Sequence, residues 1–461
     1  LIKEGFKGIT DTSRVINEAI AMVESQNGLI NNEAAYFARY GNNYSFTILI
    51  YYICKIIHSL GFRCYTAVLM VLNVLLINLS GVFSFKIVKL LRGTVSGIKF
   101  LILLVLSPTT YIWILFTYTN TFSMPFIMGL LYYGIRAMRC EQHRIKNIVI
   151  ASIIGAVGYQ IRATTIIPLI AILLGIFLTM RIRSGKEKIC MLLLVAGIFI
   201  GVMLATSFLC RTHIVNRESD KTFPFTHWVM MGLNVDKNGF VNNSDVNYSM
   251  SLPTKQEKIK GNVEKIKERL SKMGPVGYVL LVAKKLEYVW GAGGDGSLGF
   301  YSCGENITGI YQYFYGDKNG LFCIYSQVFR SITFMFALYS VFFQLRKKGL
   351  DEFFMLSLTV LGAILFFIIW ETNHKYNICF MNLLYILMGD GINCFAGFTR
   401  QNKKMEMFLQ KKWCRQGVLM FILVIPLAIS TLMLADFSHY IQKKSEYHRV
   451  ALSVINHKAE Y

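Results

Sequence analysis

The sequence predicts an all-α protein, a polytopic transmembrane helical bundle with a large external loop region that contains amphipathic helices. Three observations predict it. Runs with little or no charge recur at 65–85, 100–116, 189–209, 321–343, 353–370 and 417–435, and a crossing helix needs about 20 mostly apolar residues. Short basic hinges at 136–146, 181–188, 346–348 and 400–415 separate many of them. The chain is 54% hydrophobic and only 16% charged, against about 25% charged in soluble proteins. Only helices satisfy their own backbone hydrogen bonds segment by segment inside lipid, which sets the helical class.

The net charge of +22 does not indicate a nucleic-acid partner. Lys and Arg gather in the short hinges, as the positive-inside rule requires of cytoplasmic loops, and there is no basic soluble domain interleaved with aromatics. Membrane lipids are the expected surroundings. The ten cysteines form no CxxC pair and no metal spacing; Cys54, Cys190, Cys323 and Cys379 fall in apolar runs as small fillers. Cys303 alone stands in a polar loop suited to an oxidising compartment. The chain begins at Leu1 in a polar, amphipathic stretch, and one further helix ahead of it is expected.

Placing the basic hinges inside puts the turn at 160–165, the segment 210–320, the turn at 371–377 and the tail outside. The expected division is then 1–209 as an N-terminal transmembrane half with a first external loop at 1–43, and 210–320 as external loop and juxtamembrane helices. Residues 321–435 supply the C-terminal transmembrane helices, and 436–461 an external tail. Before residue 137 the parity fails. Four apolar runs lie between 44 and 137, yet an external start needs an odd number of crossings. The run 46–54 is too short to span, and a hairpin or an incomplete crossing is expected around 83–100, where Lys86, Lys89, Arg92 and Lys99 collect. Within 210–320, Ile259, Val263, Ile266 and Leu270 recur at helical spacing among Lys and Glu, which reads as an amphipathic helix over 255–272 lying on the membrane surface or on the bundle. Residues 276–290 are apolar but interrupted by Lys284, Lys285 and Glu287, a juxtamembrane helix. The Gly-rich turn around Asp295 lacks the Lys-Ser/Thr of a phosphate loop.

Four polar groups interrupt the apolar pattern on the external side, where charge at membrane depth is usually functional. The first holds Asp11, Glu33, Arg39, Asn42 and Asn43. Asp11 is either a helix cap or a carboxylate at the boundary acting as general base; the asparagines are caps or substrate contacts. The second is the sequence Tyr-Thr-Asn-Thr at 118–121, with Asn120. The third places Arg162 between two apolar runs, snorkelling to the interface or binding phosphate. The fourth is the run Trp-Glu-Thr-Asn-His-Lys-Tyr at 370–376, a surface turn with a Glu–Lys pair or, through His374 and Lys375, an anion site suited to a lipid phosphate.

Together these groups resemble bacterial members of the GT-C superfamily, integral-membrane glycosyltransferases that use polyprenyl-phosphate sugars. The run Arg-Tyr-Gly-Asn-Asn at 39–43 resembles RYPNN, the stretch at 118–121 resembles YTDT, and Ile-Arg-Ala-Thr at 161–164 resembles an IRPT-type turn. Residues 226–234, with His227 and Trp228, resemble a THFIMMGL-type segment, and 370–376 resembles WEANSRY. The resemblance covers nearly the whole chain and implies a GT-C-like fold with a helix ahead of the first external loop. It implies that Asp11 is the base, and that Lys375 stands where an Arg meets the lipid phosphate, keeping charge but losing the bidentate fork. Asn120 replaces an acidic residue, which withdraws support for a second carboxylate or metal role. No cofactor is assigned, and a divalent metal is possible but unsupported.

The implied reaction is inverting transfer from a polyprenyl-phosphate sugar to an extracytoplasmic glycan or lipid acceptor. Lys375, His374, Arg162 and Arg39 would hold the donor phosphate; Asn42, Asn43, Asn120, His227, Trp228, Glu371 and Tyr376 are further contacts. The rivals are a lipid-linked oligosaccharide flippase or other transporter, and a polysaccharide polymerase. Transporters often carry internal repeats and midplane charges. This chain shows no repeat, and its charges gather on one face.

Overall fold

The computed structural model describes residues 7–8, 11–31, 35–179, 185–214, 220–294, 301–302, 313, 319–346 and 351–401. The apolar run at 417–435, the tail, Glu33, Asp295, Cys303 and the hinge at 181–184 lie outside them. The described residues form an all-α polytopic bundle, with one short antiparallel pair between β1 (Lys7–Gly8) and β2 (Tyr301–Ser302). Among the described residues four segments are long and apolar enough to cross a membrane: Tyr65–Arg92, Gly185–Thr212, Gly320–Arg346 and His374–Phe398. Their outer faces carry Leu75, Leu193, Leu204 and Leu338, each at least 60% exposed. That much exposed apolar surface is expected of a chain solvated by lipid.

Helices α1 (Asp11–Glu24), α2 (Ala35–Arg39) and α3 (Tyr44–Ser59) precede the first span. Helix α4 (Tyr65–Arg92) then turns at Gly93, whose φ of 85° admits glycine cheaply, into α5 (Thr94–Leu106). The pair is antiparallel: Gly97 meets Phe85, and Gly81 meets Leu104. Ser107 and Pro108 break the returning run, because Pro has no N–H for a continuous helix. The short α6 (Pro108–Ile112), a 3-10 turn and α7 (Thr119–Phe122) carry the chain back up.

Helix α8 (Met124–Arg139) runs alongside α4 in the same direction, with Gly129 against Phe83 and Arg139 Nη1 donating to the Leu90 carbonyl at 2.6 Å. Helix α9 (Arg144–Ile161) returns antiparallel, Gly155 facing Leu130 and Gly158 facing Phe126. Helix α10 (Ile166–Thr179) lies against Gly134, where an added Cβ would stand 2.6 Å from Ile172. Small residues let membrane helices approach and gain dispersion contact where lipid supplies no hydrophobic drive.

Helices α11 (Gly185–Thr212), α12 (Phe225–Gly232), α13 (Asn243–Ser251), α14 (Lys255–Leu286), α15 (Asn319–Arg346), α16 (Phe354–Ile369) and α17 (Met381–Gln401) complete the described elements. Helix α17 is locked into the bundle by buried polar contacts. Asn382 donates to Ser80 and Ser84, Tyr385 bonds Ser107 and Thr109, and Asp390 takes Arg92 at 2.7 Å and Ser340 at 2.7 Å.

The bundle therefore has two ends. One carries Arg92, Arg139 and Arg144, paired with Asp390, Glu352 and Glu141. The other carries α1–α3, the 116–123 and 161–165 turns, α12–α14 and the 370–380 segment. Helix α3 corrects the expected topology. Its hydrogen bonds run from Ser45 to Gln160 and from Tyr52 to His213, residues near the ends of α9 and α11, so it lies across the helix tops and does not cross. Of the two forms expected around 83–100, the structure has the hairpin: Lys86, Lys89 and Arg92 are the last turns of α4, the chain reverses at Gly93, and Lys99 lies on the returning α5. Long cationic side chains reach the interface from such positions.

The expected surface and juxtamembrane helices are one element. A capping box of Thr254 and Glu257 starts α14, and Gly274 (φ 60°) with Pro275 kinks it. The polar half binds α12 and α13 through Arg269, whose Nη2 donates to Asp245 at 2.5 Å. The apolar half exposes Val276, Val279 and Leu280 and turns Leu281 and Lys285 inward.

Candidate functional site

Asp11 opens α1 in the first loop, where an acidic residue favours the positive end of the helix. Its Oδ2 receives the Lys375 ammonium at 2.8 Å, a pair that joins residues 364 positions apart. Its Oδ1 accepts from the Tyr36 hydroxyl at 3.1 Å. Asn43 Nδ2 donates to that same hydroxyl at 2.7 Å, and the Tyr118 hydroxyl donates to Asn43 Oδ1 at 3.1 Å. One continuous polar chain thus links α1, α2, the 3-10 turn before α3, the loop before α7 and the 374–380 segment. Partial burial pushes the Asp11 carboxyl up, but the charge and hydrogen bond of Lys375, with the Tyr36 hydroxyl and Arg14, outweigh it. The group is held below the ordinary carboxylate value.

The Lys375 backbone is fixed on both sides. Its N–H donates to Asn373 Oδ1 at 3.2 Å, and its carbonyl accepts from Asn120 Nδ2 at 2.5 Å. That donor fixes the orientation of the Asn120 amide, since a flip would set two carbonyl oxygens face to face. The ammonium lies 5.1 Å from the Tyr118 ring centroid and 6.0 Å from that of Phe116, within cation–π range. Arg162 closes another side, 5.3 Å from the Tyr376 centroid, with Thr119 Oγ1 at 3.4 Å and Thr164 Oγ1 at 3.0 Å. The Tyr376 hydroxyl bonds Glu371. Glu371 is buried, which pushes its carboxyl up to about 7. Two carboxylates held in opposite directions by their surroundings are a mark of acid–base sites.

Three buried oxygens here, Thr12 Oγ1, Thr117 Oγ1 and Asn120 Oδ1, have no hydrogen-bond partner among the described residues. Buried polar atoms are satisfied in the great majority of cases, and these neighbours in sequence of Asp11, Tyr118 and Thr119 are exceptions among the described residues. No group of three His, Cys, Asp or Glu among the described residues is placed to hold a metal ion. Asn120 offers a neutral carboxamide where a metal site would use a carboxylate.

Of the residues singled out in the sequence, Asp11, Asn43, Asn120, Arg162, Glu371, Lys375 and Tyr376 meet at this centre. Arg39 sits half-buried at its edge, beside a Tyr40 whose ionisation is opposed first by burial and then by Glu371 and Asp11. Asn42 is exposed on the adjoining turn. The other three serve the docking of the 220–294 insert. His374 Nδ1 bonds the Tyr288 carbonyl at 2.7 Å between the Phe240 and Tyr288 rings. His227 is fully buried, bonded to Ser249 and stacked on Phe223, and burial pushes its imidazole down to about 4. Trp228 stacks on Trp370.

Sequence reasoning missed Tyr36 and Lys285. Tyr36 precedes Arg39 on the same short helix and carries no motif of its own. Lys285 is 1% exposed and donates to the carbonyls of Gly232, Ile368 and Trp370 at 2.9, 2.8 and 2.6 Å; a lysine interrupting an apolar run was its only trace. Around it the insert meets the site loop by a parallel bridge between Phe240 and Thr372.

No curated protein and no solved structure matches the chain. A family model described as "conserved hypothetical integral membrane protein" matches residues 10–393, a span that includes every site residue above, and the chain belongs to that family.

Proposed function

We propose that the protein is a GT-C-like membrane glycosyltransferase, moving a sugar from a polyprenyl-phosphate donor to a glycan or lipid acceptor on the extracytoplasmic side. The observation that carries this reading is the Asp11–Lys375 pair: a partly exposed carboxylate and a buried ammonium, brought together across 364 positions of the chain. Arg162, Asn120 and Tyr118 stand around them.

In this reaction the acceptor O–H gives its proton to an Asp11 oxygen while its oxygen attacks the anomeric carbon from the face opposite the phosphate. The C–O bond to phosphate breaks, and the electron pair leaves on the lipid phosphate. That group is already anionic, so it needs cations more than a proton; Lys375 and Arg162 supply them. The unpartnered oxygens of Asn120 and Thr12 suit the hydroxyls of a sugar. Basic residues concentrated at the far end of the bundle favour that end as cytoplasmic. A transport path is disfavoured because packed contacts of Tyr385, Asn382 and Asp390 fill the bundle below the site.

Membranes carrying the protein, incubated with labelled polyprenyl-phosphate sugars, should release polyprenyl phosphate and a glycosylated product. The Asp11→Asn variant should not. Equal release by the two would overturn the assignment.

A further inference from the structure

We infer that Lys375 is a shared counter-ion that the lipid phosphate takes from Asp11, so that donor binding itself unmasks the base. The inference rests on the lipid-phosphate reading of the site and adds an order of events to it.

The geometry points to it through three features. First, the base and the phosphate-binding cation neutralise each other at 2.8 Å. A carboxylate sharing an ammonium's proton in that way is a weak acceptor for a hydroxyl proton. Second, the Lys375 backbone is clamped at its N–H by Asn373 and at its carbonyl by Asn120, while the ammonium rests on Asp11 and the Tyr118 ring. The four-carbon side chain is then the part able to change partner, and an ammonium, unlike a guanidinium, binds anions as a point charge without fixed geometry. Third, Lys375 is only 4% exposed, so an unpaired ammonium there is costly. One anion can replace another, but the charge is not left alone. Asp11 keeps the Tyr36 hydroxyl and the nearby Arg14 after the exchange, enough to hold its orientation with less compensation of its charge.

Asp11 and the donor phosphate thus compete for one cation. The consequence separates this device from a simple base: removing the Asp11 charge should tighten donor binding while abolishing transfer. The test measures binding of polyprenyl monophosphate to the purified protein in nanodiscs, for wild type, Asp11→Asn, Asp11→Ala and Lys375→Ala, with inorganic phosphate as a second ligand. Size-exclusion profile and helicity report folding of each variant, and the two Asp11 variants stand in for each other.

The expected result is polyprenyl-phosphate affinity about 10-fold tighter in the Asp11 variants, in line with the release of one close competing charge. Lys375→Ala should bind more weakly, and inorganic phosphate should bind poorly throughout. Asp11 variants that bind like wild type or more weakly, while Lys375→Ala loses affinity, would overturn the exchange and leave the glycosyltransferase reading standing. Equal binding by Lys375→Ala and wild type would overturn the exchange and take the lipid phosphate off Lys375, leaving the glycosyltransferase reading to the transfer assay. Tight binding of inorganic phosphate would show an anion site not committed to lipid, and would also overturn the proposal.

Discussion

Lys285 donates its ammonium to the Trp370 carbonyl at 2.6 Å, directly before Glu371. The same ammonium holds the Ile368 carbonyl, near the end of α16, and the Gly232 carbonyl at the end of α12. One buried cation therefore caps two helices where their C-terminal carbonyls concentrate partial negative charge. It also ties the insert to the loop that carries Glu371, Lys375 and Tyr376. The sequence shows it only as a blemish in an apolar run; in the fold it is the junction between insert and site.

Replacing Lys285 by Met keeps the length and the apolar stem but leaves three buried carbonyls without this donor. Each such loss costs about 1–3 kcal/mol, so Lys285→Met should lower the thermal midpoint in detergent by several degrees. A midpoint within a degree of wild type would show that the junction is held by other contacts.

Gly232 tests the same junction without touching charge. An added Cβ would lie 2.5 Å from the Trp370 carbonyl oxygen and 2.7 Å from that of Ile369, and backbone cannot swing aside as a flexible side chain would. Gly232→Ala should destabilise by about 1–3 kcal/mol and make the 226–240 segment more sensitive to protease. Gly61, with open space around its Cβ position but a φ of 84°, serves as the contrast: alanine there costs backbone strain alone.

Glu371 makes a pH prediction whose sign is fixed by its burial. Its carboxyl is raised from 4.5 to about 7, so its contribution to stability is fully present below pH 4.5 and lost as pH rises through 7. Lys285, lowered by burial from 10.5 to about 7, acts oppositely, its contribution being lost as pH falls through 7. Glu371→Gln removes only the first. The variant should gain on wild type in stability between pH 5 and pH 8, by up to ~3 kcal/mol at 1.36 kcal/mol per pKa unit, read as a growing difference in thermal midpoint. A constant difference across that range would mean that Glu371 does not titrate there.

The bundle was legible because hydrocarbon imposes one rule, long uncharged runs, and composition obeys it directly. Helix α3 was harder to place. Its apolar run resembles a short span, and only the contacts of Ser45 and Tyr52 with the ends of α9 and α11 show that it lies across them. Lys86, Lys89 and Arg92 left a hairpin and an incomplete crossing both open, because charge within a run suggests a break while long cationic side chains at the end of a helix cost little. At the site, Asp11, Arg162 and Lys375 stood out as charges among apolar residues. Tyr36 did not, because tyrosine at a membrane boundary is common and only proximity to Asp11 and Asn43 gives it work. His227 and His374 attracted attention for their chemistry, yet packing uses them as shaped, hydrogen-bonded fillers.

The two ends of the bundle should answer differently to a membrane-impermeant thiol reagent. Asn42 is exposed beside the site, and Glu141 is exposed in the basic turn between α8 and α9. In intact cells a cysteine at Asn42 should label and one at Glu141 should not; permeabilisation should reveal the second. The reverse pattern would invert the proposed orientation.

Lys375 gives the most direct measure of donor recognition. A lipid phosphate at the interface gains roughly 1 kcal/mol from each nearby cation, and more where the pair is desolvated and hydrogen-bonded. Lys375 is buried, so Lys375→Ala should raise the apparent KM for a polyprenyl-phosphate sugar about 10-fold or more. Lys375→Arg keeps the charge and adds a fork that can bind two phosphate oxygens, so it should preserve donor affinity or improve it. Arg162→Ala should weaken the donor less, since Arg162 is partly engaged by Thr119, Thr164 and the Tyr376 ring. A donor titration across the three variants decides the order. If Lys375→Ala leaves the apparent affinity unchanged while Arg162→Ala lowers it, the phosphate sits on the Tyr376 side of the site, and Lys375 serves only to balance Asp11.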